Sequence, residues 1–166
     1  RSKEAWKTAR ELGYGLKLNT VVTSVNADDD MSELVGFLKP HRWKIFRVLR
    51  IEGENDGRVE PLLISQNQFD DYMNRHRRSL QNFEGIHIVA EDNEDMLGTY
   101  AMIDPQGRAY TNKNGRYVYS NKSCIEVGFS DAWNEVVTGF SETRFSDRGG
   151  NWDWKKAEWN LTLPVV

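Results

Sequence analysis

Leu16-Lys17-Leu18-Asn19 alternates apolar and polar residues before Thr20-Val21-Val22, and residues 16–25 as a whole are rich in β-formers, which predicts a strand. His41-Arg42-Trp43-Lys44-Ile45-Phe46 opens a second such run, apolar with interleaved cations through residue 51. Between them the period changes. Met31, Leu34, Val35 and Leu38 fall at i, i+3, i+4 and i+7, Asp30 with Glu33 resembles a capping box, and Lys39-Pro40 closes the helix. A strand, a helix and a strand in this order predict a parallel pair joined by a right-handed crossover.

Beyond the loop Glu52-Gly53-Glu54-Asn55-Asp56-Gly57, Ser65 and Gln68 predict a second capping box, for a helix that carries Phe69, Tyr72, Met73 and His76 on one side. Arg75 to Arg78 load its last turn with cations, which suits the helix macrodipole and reads as a solvated helix end. Ile86-His87-Ile88-Val89 predicts a strand, the acidic stretch Glu91 to Asp95 a loop, and Asp104-Pro105-Gln106-Gly107 a turn between two short strands. Ser130 is placed to cap a helix through Val137, ahead of Arg148-Gly149-Gly150 and the tryptophans Trp152, Trp154 and Trp159. Arg1 to Leu12 read as the end of a helix whose beginning is missing, so the chain is expected to be a piece of something longer.

Alternation gives the two basic strands a chemical meaning. Lys17 and Asn19 share one strand face, and Arg42 and Lys44 share another. The crossover brings those strands together, so a joint cationic face needs no further assumption. Arginine offers a planar fork, lysine a point charge and asparagine a donor and an acceptor, a set suited to a nucleoside triphosphate. The plain alternatives are polar positions facing water and surface ion pairs with the chain's 25 acidic residues. Arg148-Gly149-Gly150 reads either as a flexible anion-binding loop or as an ordinary turn. Tyr100, in a strand-like segment, reads by default as a core tyrosine with a satisfied hydroxyl.

Composition narrows the function classes. The 166 residues, 39% hydrophobic with four prolines, describe one globular domain, and a net charge of −3 argues against a general nucleic-acid binder. Cys124, the only cysteine, reads as a small buried hydrophobe rather than a nucleophile, and it cannot alone hold an iron–sulfur cluster or a structural zinc. His41, His76 and His87 lack metal-ligand spacing, and no metal is assigned to any of them. A cytoplasmic, reducing setting is expected, with no run of the roughly 20 apolar residues that span a bilayer.

Lys17-Leu18-Asn19-Thr20-Val21-Val22, Arg42-Trp43-Lys44, Ile51-Glu52-Gly53-Glu54-Asn55 and Arg148-Gly149-Gly150, in this order and spacing, resemble the C-terminal half of the viperin-like radical S-adenosylmethionine enzymes. The likeness covers nearly the whole chain, including Asp30-Met31, the helix ending near Arg75-His76, and Tyr100 through Asp104. It implies an α/β fold: the second part of a partial (β/α) barrel of radical S-adenosylmethionine type over residues 1–80, with a C-terminal α+β extension over 81–166 that closes on the nucleotide.

The resemblance also implies a reaction. A reduced [4Fe-4S] cluster cleaves S-adenosylmethionine, and the radical formed attacks the ribose of a nucleoside triphosphate, CTP or else UTP or GTP. A 3'-deoxy-3',4'-didehydro nucleotide results, which terminates viral RNA chains. Lys17, Asn19, Arg42 and Lys44 would hold sugar and phosphates, Arg148 the triphosphate, and Lys17 and Tyr100 would be the catalytic residues. The family's three-cysteine cluster motif precedes the strand that opens here, so this chain is expected to bind neither cofactor alone and to need the missing N-terminal half as partner. Membrane contact, which the animal proteins make through an N-terminal amphipathic segment, is not expected of it, nor is nucleic-acid binding. Tyr117 follows Gly115-Arg116 where the animal proteins would have a lysine. The rival reading is a truncated or stand-alone non-catalytic module that uses the same basic face for a nucleotide or a protein partner.

Overall fold

The alternating runs pair as the crossover requires. In the computed structural model, which describes residues 2–154, β1 (Lys17–Val22), α2 (Ser32–Leu38), β2 (Arg42–Arg47), α3 (Gln66–Ser79) and β3 (His87–Glu91) build a parallel sheet of order β1-β2-β3. A preceding helix, α1 (Ser2–Glu11), docks on the end of α2, where the indole of Trp6 donates to the Leu38 carbonyl at 2.8 Å. Lys39 ends α2 in the left-handed region, φ 42°, with its N–H on the Val35 carbonyl.

Strand parity separates a dry face from a polar one. Val22, Trp43 and Ile45, with the half-buried Leu18, Ile88 and Ala90, join Val35 of α2 and Phe69, Tyr72 and Met73 of α3 in the main core. Each fully buried Val, Ile, Phe or Met among these contributes about 1.5–3 kcal/mol by leaving water. Thr20 lies on this face too, and its hydroxyl accepts the indole N–H of the fully buried Trp43 at 2.9 Å. The opposite parity faces away from the helices and carries the charged residues.

The second half is antiparallel. Beyond α4 (Asn93–Met96), strands β4 (Met102–Ile103), β5 (Arg108–Thr111) and β6 (Val118–Ser123) form a sheet of order β4-β5-β6, with the expected turn at residues 104–107. The helices α5 (Cys124–Val127) and α6 (Phe129–Asn134) follow, with Ala132 packing against Ala109 and Val136 in a satellite core. A last helix, α7 (Glu142–Asp147), ends at Arg148. The two sheets are stitched at the 52–54 loop: the Glu52 N–H donates to the Gly115 carbonyl, and the Tyr119 hydroxyl to Glu54 at 2.9 Å. The molecule is thus mixed α/β, a three-stranded parallel sheet followed by an antiparallel one.

Several local expectations change. The Asp30–Glu33 box does not form, because Asp30 Oδ1 accepts the Ser32 N–H and Met31 takes the N-cap position. Ser130 lies inside α6, which starts after Gly128, and the helix ends at Asn134. Arg75 is no solvated end: it donates to the carbonyls of Ala27 and Asp29, fastening the loop before α2 to α3. Glu91 belongs to β3, not to a loop, and only the residues after it leave the sheet, with Asp92 and Asp95 forming the capping box of α4. Trp159 lies outside the described residues.

Candidate functional site

The polar face of the parallel sheet is a register-matched array. Lys17 stands opposite Arg42 and Asn19 opposite Lys44, while on the other side of β2 Arg42 faces His87 and Phe46 faces Glu91. All these positions share one parity, so their side chains leave the same face. The four residues predicted on the basic strands are therefore brought together. Burial grades across the array: Lys17 and Asn19 on β1 are exposed, whereas Arg42 is 5% and Lys44 8% accessible.

Glu91, fully buried at the end of β3, joins three elements. Its Oε1 pairs with the ammonium of Lys44, and its Oε2 accepts both the Tyr100 hydroxyl at 2.9 Å and Arg148 Nη1 at 2.8 Å. Arg148 also donates through Nη2 to the Thr99 carbonyl and lies over the Tyr100 ring, 4.4 Å from its centroid. As the C-cap of α7, followed by Gly149 at φ 104° and Gly150 at φ 49°, Arg148 is anchored and not carried on a free glycine loop. Tyr100 is half-buried with its hydroxyl satisfied.

Arg42 has a different environment. Its Nε is buried with no hydrogen-bond partner among the described residues. The indole of Trp152 covers it at 4.7 Å and stacks on His87 at 4.8 Å between centroids. A buried, unsatisfied donor is costly, and the cation–π contact with Trp152 offsets only part of that cost.

Burial dominates the electrostatics. It lowers the pKa values of Arg42 and Lys44 against the opposing pull of Glu91, and it lowers that of His87 with help from Arg42. It pushes the Tyr100 phenol up to about 12, reinforced by the Glu91 charge, so the hydroxyl stays protonated and donates.

Glu91 and Trp152 are the members of this site that sequence patterning did not single out. For Glu91 the available signal was parity, since it continues the polar face through His87 and Val89, but the acidic residues after it read as loop. For Trp152 there was no positional signal.

A four-iron cluster needs several thiolates. Cys124 is partly buried against the satellite core, and among the described residues no three His, Cys, Asp or Glu side chains converge to hold a metal. These residues do not fit a cluster. Among the described residues no helix is long and apolar enough to cross a membrane.

No family model matches the chain. A Flammeovirga pacifica protein named S-adenosylmethionine-dependent nucleotide dehydratase is 42% identical over 149 residues, covering 90% of this chain and 48% of that protein. The protein of the same name from Lacinutrix mariniflava is 35% identical over 87% of this chain and 28% of its own length. The Danio rerio protein named S-adenosylmethionine-dependent nucleotide dehydratase RSAD2 is 37% identical over 92% of this chain and 41% of its own length. The chain spans less than half the length of these relatives.

Proposed function

Because the chain is homologous over most of its length to the S-adenosylmethionine-dependent nucleotide dehydratases, we propose that it is the nucleotide-holding portion of such an enzyme. The observation that supports this reading is the buried Nε of Arg42, without a hydrogen-bond partner among the described residues, on the sheet face that Arg42 shares with Lys17 and Lys44. A nucleoside triphosphate, CTP first, matches the array: Arg42 and Lys17 take phosphate oxygens, and Asn19 addresses the sugar or base. Lys44 and Arg148 border the same space through their shared carboxylate. Tyr100, neutral at physiological pH, offers a phenol hydroxyl at the rim of the site as the second catalytic candidate beside Lys17.

In the intact protein, S-adenosylmethionine and a [4Fe-4S] cluster held outside this chain would supply the radical that starts dehydration to the 3'-deoxy-3',4'-didehydro nucleotide. This chain's residues bind and orient the ribose, and the buried polar face limits water around it. In this reading residues 1–80 belong to the partial (β/α) barrel, whose parallel sheet β3 joins, and the rest of 81–166 to the extension that covers the nucleotide, in an antiviral, cytoplasmic enzyme. Calorimetry of the full-length protein with CTP, UTP and GTP tests the reading. Saturable binding with one base preferred is expected, and a well-folded full-length protein that binds none of the three overturns it.

A further inference from the structure

Glu91 is a fully buried carboxylate that reaches across the two halves of the molecule: Lys44 comes from β2, Tyr100 from the segment after α4, and Arg148 from the end of α7. The four groups are close-coupled. Arg148 bonds the carboxylate and stacks on the Tyr100 ring, and Tyr100 bonds the same carboxylate oxygen as Arg148. No other acidic side chain among the described residues is paired with Lys44 or Arg148. Without Glu91, Lys44 and Arg148 lose their shared anion and the Tyr100 hydroxyl loses its acceptor.

We propose that Glu91 is a positioning residue of the nucleotide site, a dry carboxylate that docks the C-terminal segment carrying Tyr100 and Arg148 onto the cationic sheet face and fixes both relative to Lys44. The inference rests on the nucleotide-site reading above and adds a residue to it. Glu91 need not touch the nucleotide. It acts through its three partners, and because it already occupies Lys44 and Arg148, the incoming phosphates depend chiefly on Arg42 and Lys17 for new pairing.

The discriminating variant is Glu91→Gln in the full-length holoenzyme. Its side chain has the same shape, but Lys44 loses its counter-charge, and three donors are left with one amide oxygen in place of two carboxylate oxygens. The expected result is a split between the constants: kcat for CTP falls on the order of 100-fold, as misplacement of reacting groups does, while CTP affinity by calorimetry holds or tightens because two cations are released. A second readout needs no nucleotide. The groups facing the Tyr100 hydroxyl are Glu91 and Arg148, so removing the carboxylate charge lowers the pH at which a ¹³C-labelled Tyr100 ring titrates, the resonance being assigned with Tyr100→Phe.

Should Glu91→Gln lose the fold by circular dichroism, Glu91→Asp takes its place. It keeps the charge but shortens the reach by one carbon, so kcat falls with affinity retained. Wild-type kcat in whichever variant folds, or an unmoved Tyr100 titration in Glu91→Gln, overturns the proposal. A wild-type protein that binds no nucleotide overturns the substrate reading instead, while the Tyr100 titration still reports whether Glu91 organises its partners.

Discussion

The Arg42 guanidinium lies 4.7 Å from the centroid of the Trp152 ring, so the buried cation of the sheet face is covered by a residue 110 positions later in the chain. Anything that pairs with Arg42 must share space with this indole. Nucleotide binding to the full-length protein is therefore expected to change tryptophan emission, with the change largely abolished in Trp152→Phe. An equal change in that variant would place the nucleotide away from Arg42.

Lys17 and Arg42 stand opposite one another, one exposed and one buried. A hydrogen bond to a charged group contributes about 1.5–3 kcal/mol, so Lys17→Ala and Arg42→Ala should each weaken nucleotide binding by about 10–100-fold. Circular dichroism should be unchanged for Lys17→Ala, whose side chain is exposed. Calorimetry on the full-length variants makes the comparison, and wild-type affinity in both would remove these residues from the site.

His76 is fully buried on α3, accepting the Met31 N–H at 2.9 Å through Nε2 while Nδ1 meets the Tyr72 carbonyl. This arrangement fits the neutral ring protonated at Nδ1. Burial lowers its pKa from 6.5, so below about pH 6.5 the unfolded chain binds a proton more readily than the folded one. Its contribution is intact above that value and declines as pH falls toward the folded pKa. His41 and His87, also lowered, act in the same direction. Urea midpoints should fall on going from about pH 7 to pH 5, and less steeply in His76→Gln. An identical pH slope in the variant would count against burial as the cause.

Gly139 sits where any Cβ would collide with the Thr111 hydroxyl and press on Lys113 Cβ at 3.3 Å. Thr111 is fully buried on β5 and cannot swing away freely. Gly139→Ala should destabilise the protein by about 1–3 kcal/mol, the usual cost of overpacking. Chemical denaturation measures it, and an unchanged midpoint would mean that the turn at residues 137–139 yields.

The parts of the fold legible in the sequence are those fixed by local pattern. Ser65 and Gln68 form the reciprocal cap expected of them, and Phe69, Tyr72, Met73 and His76 are all buried. The parity of Lys17 with Asn19 and of Arg42 with Lys44 survives into the sheet because a parallel ladder in register preserves it. What was illegible depends on distant partners. Glu91 sits at the head of an acidic run, and only cations supplied from β2 and from a segment 57 residues later make its burial tolerable. Arg148-Gly149-Gly150 has the composition of a loose loop, but Glu91 and the Tyr100 ring hold its arginine in place. At α2, Asp30 and Ser130's counterpart expectation at α6 fail for a common reason: several residues near each helix start can serve as its first turn, and the chain entering it decides which one does.

Lys17, Asn19, Arg42 and Lys44 occupy neighbouring points of a lattice whose pitch is set by the peptide ladder, about 4.8 Å between strands and about 6.6 Å between alternate residues along one. The backbone holds that spacing whatever side chains are mounted on it. If the sheet face holds a nucleotide as proposed, Asn19, exposed at the margin of the lattice, is the point where a different residue would alter which ligand is preferred while the scaffold and the buried cations beside it stay put. A site of this construction divides freedom unevenly: the exposed side chains of β1 can change without disturbing the buried charges, whereas Lys44 on β2 and Glu91 on β3 hold one another in place.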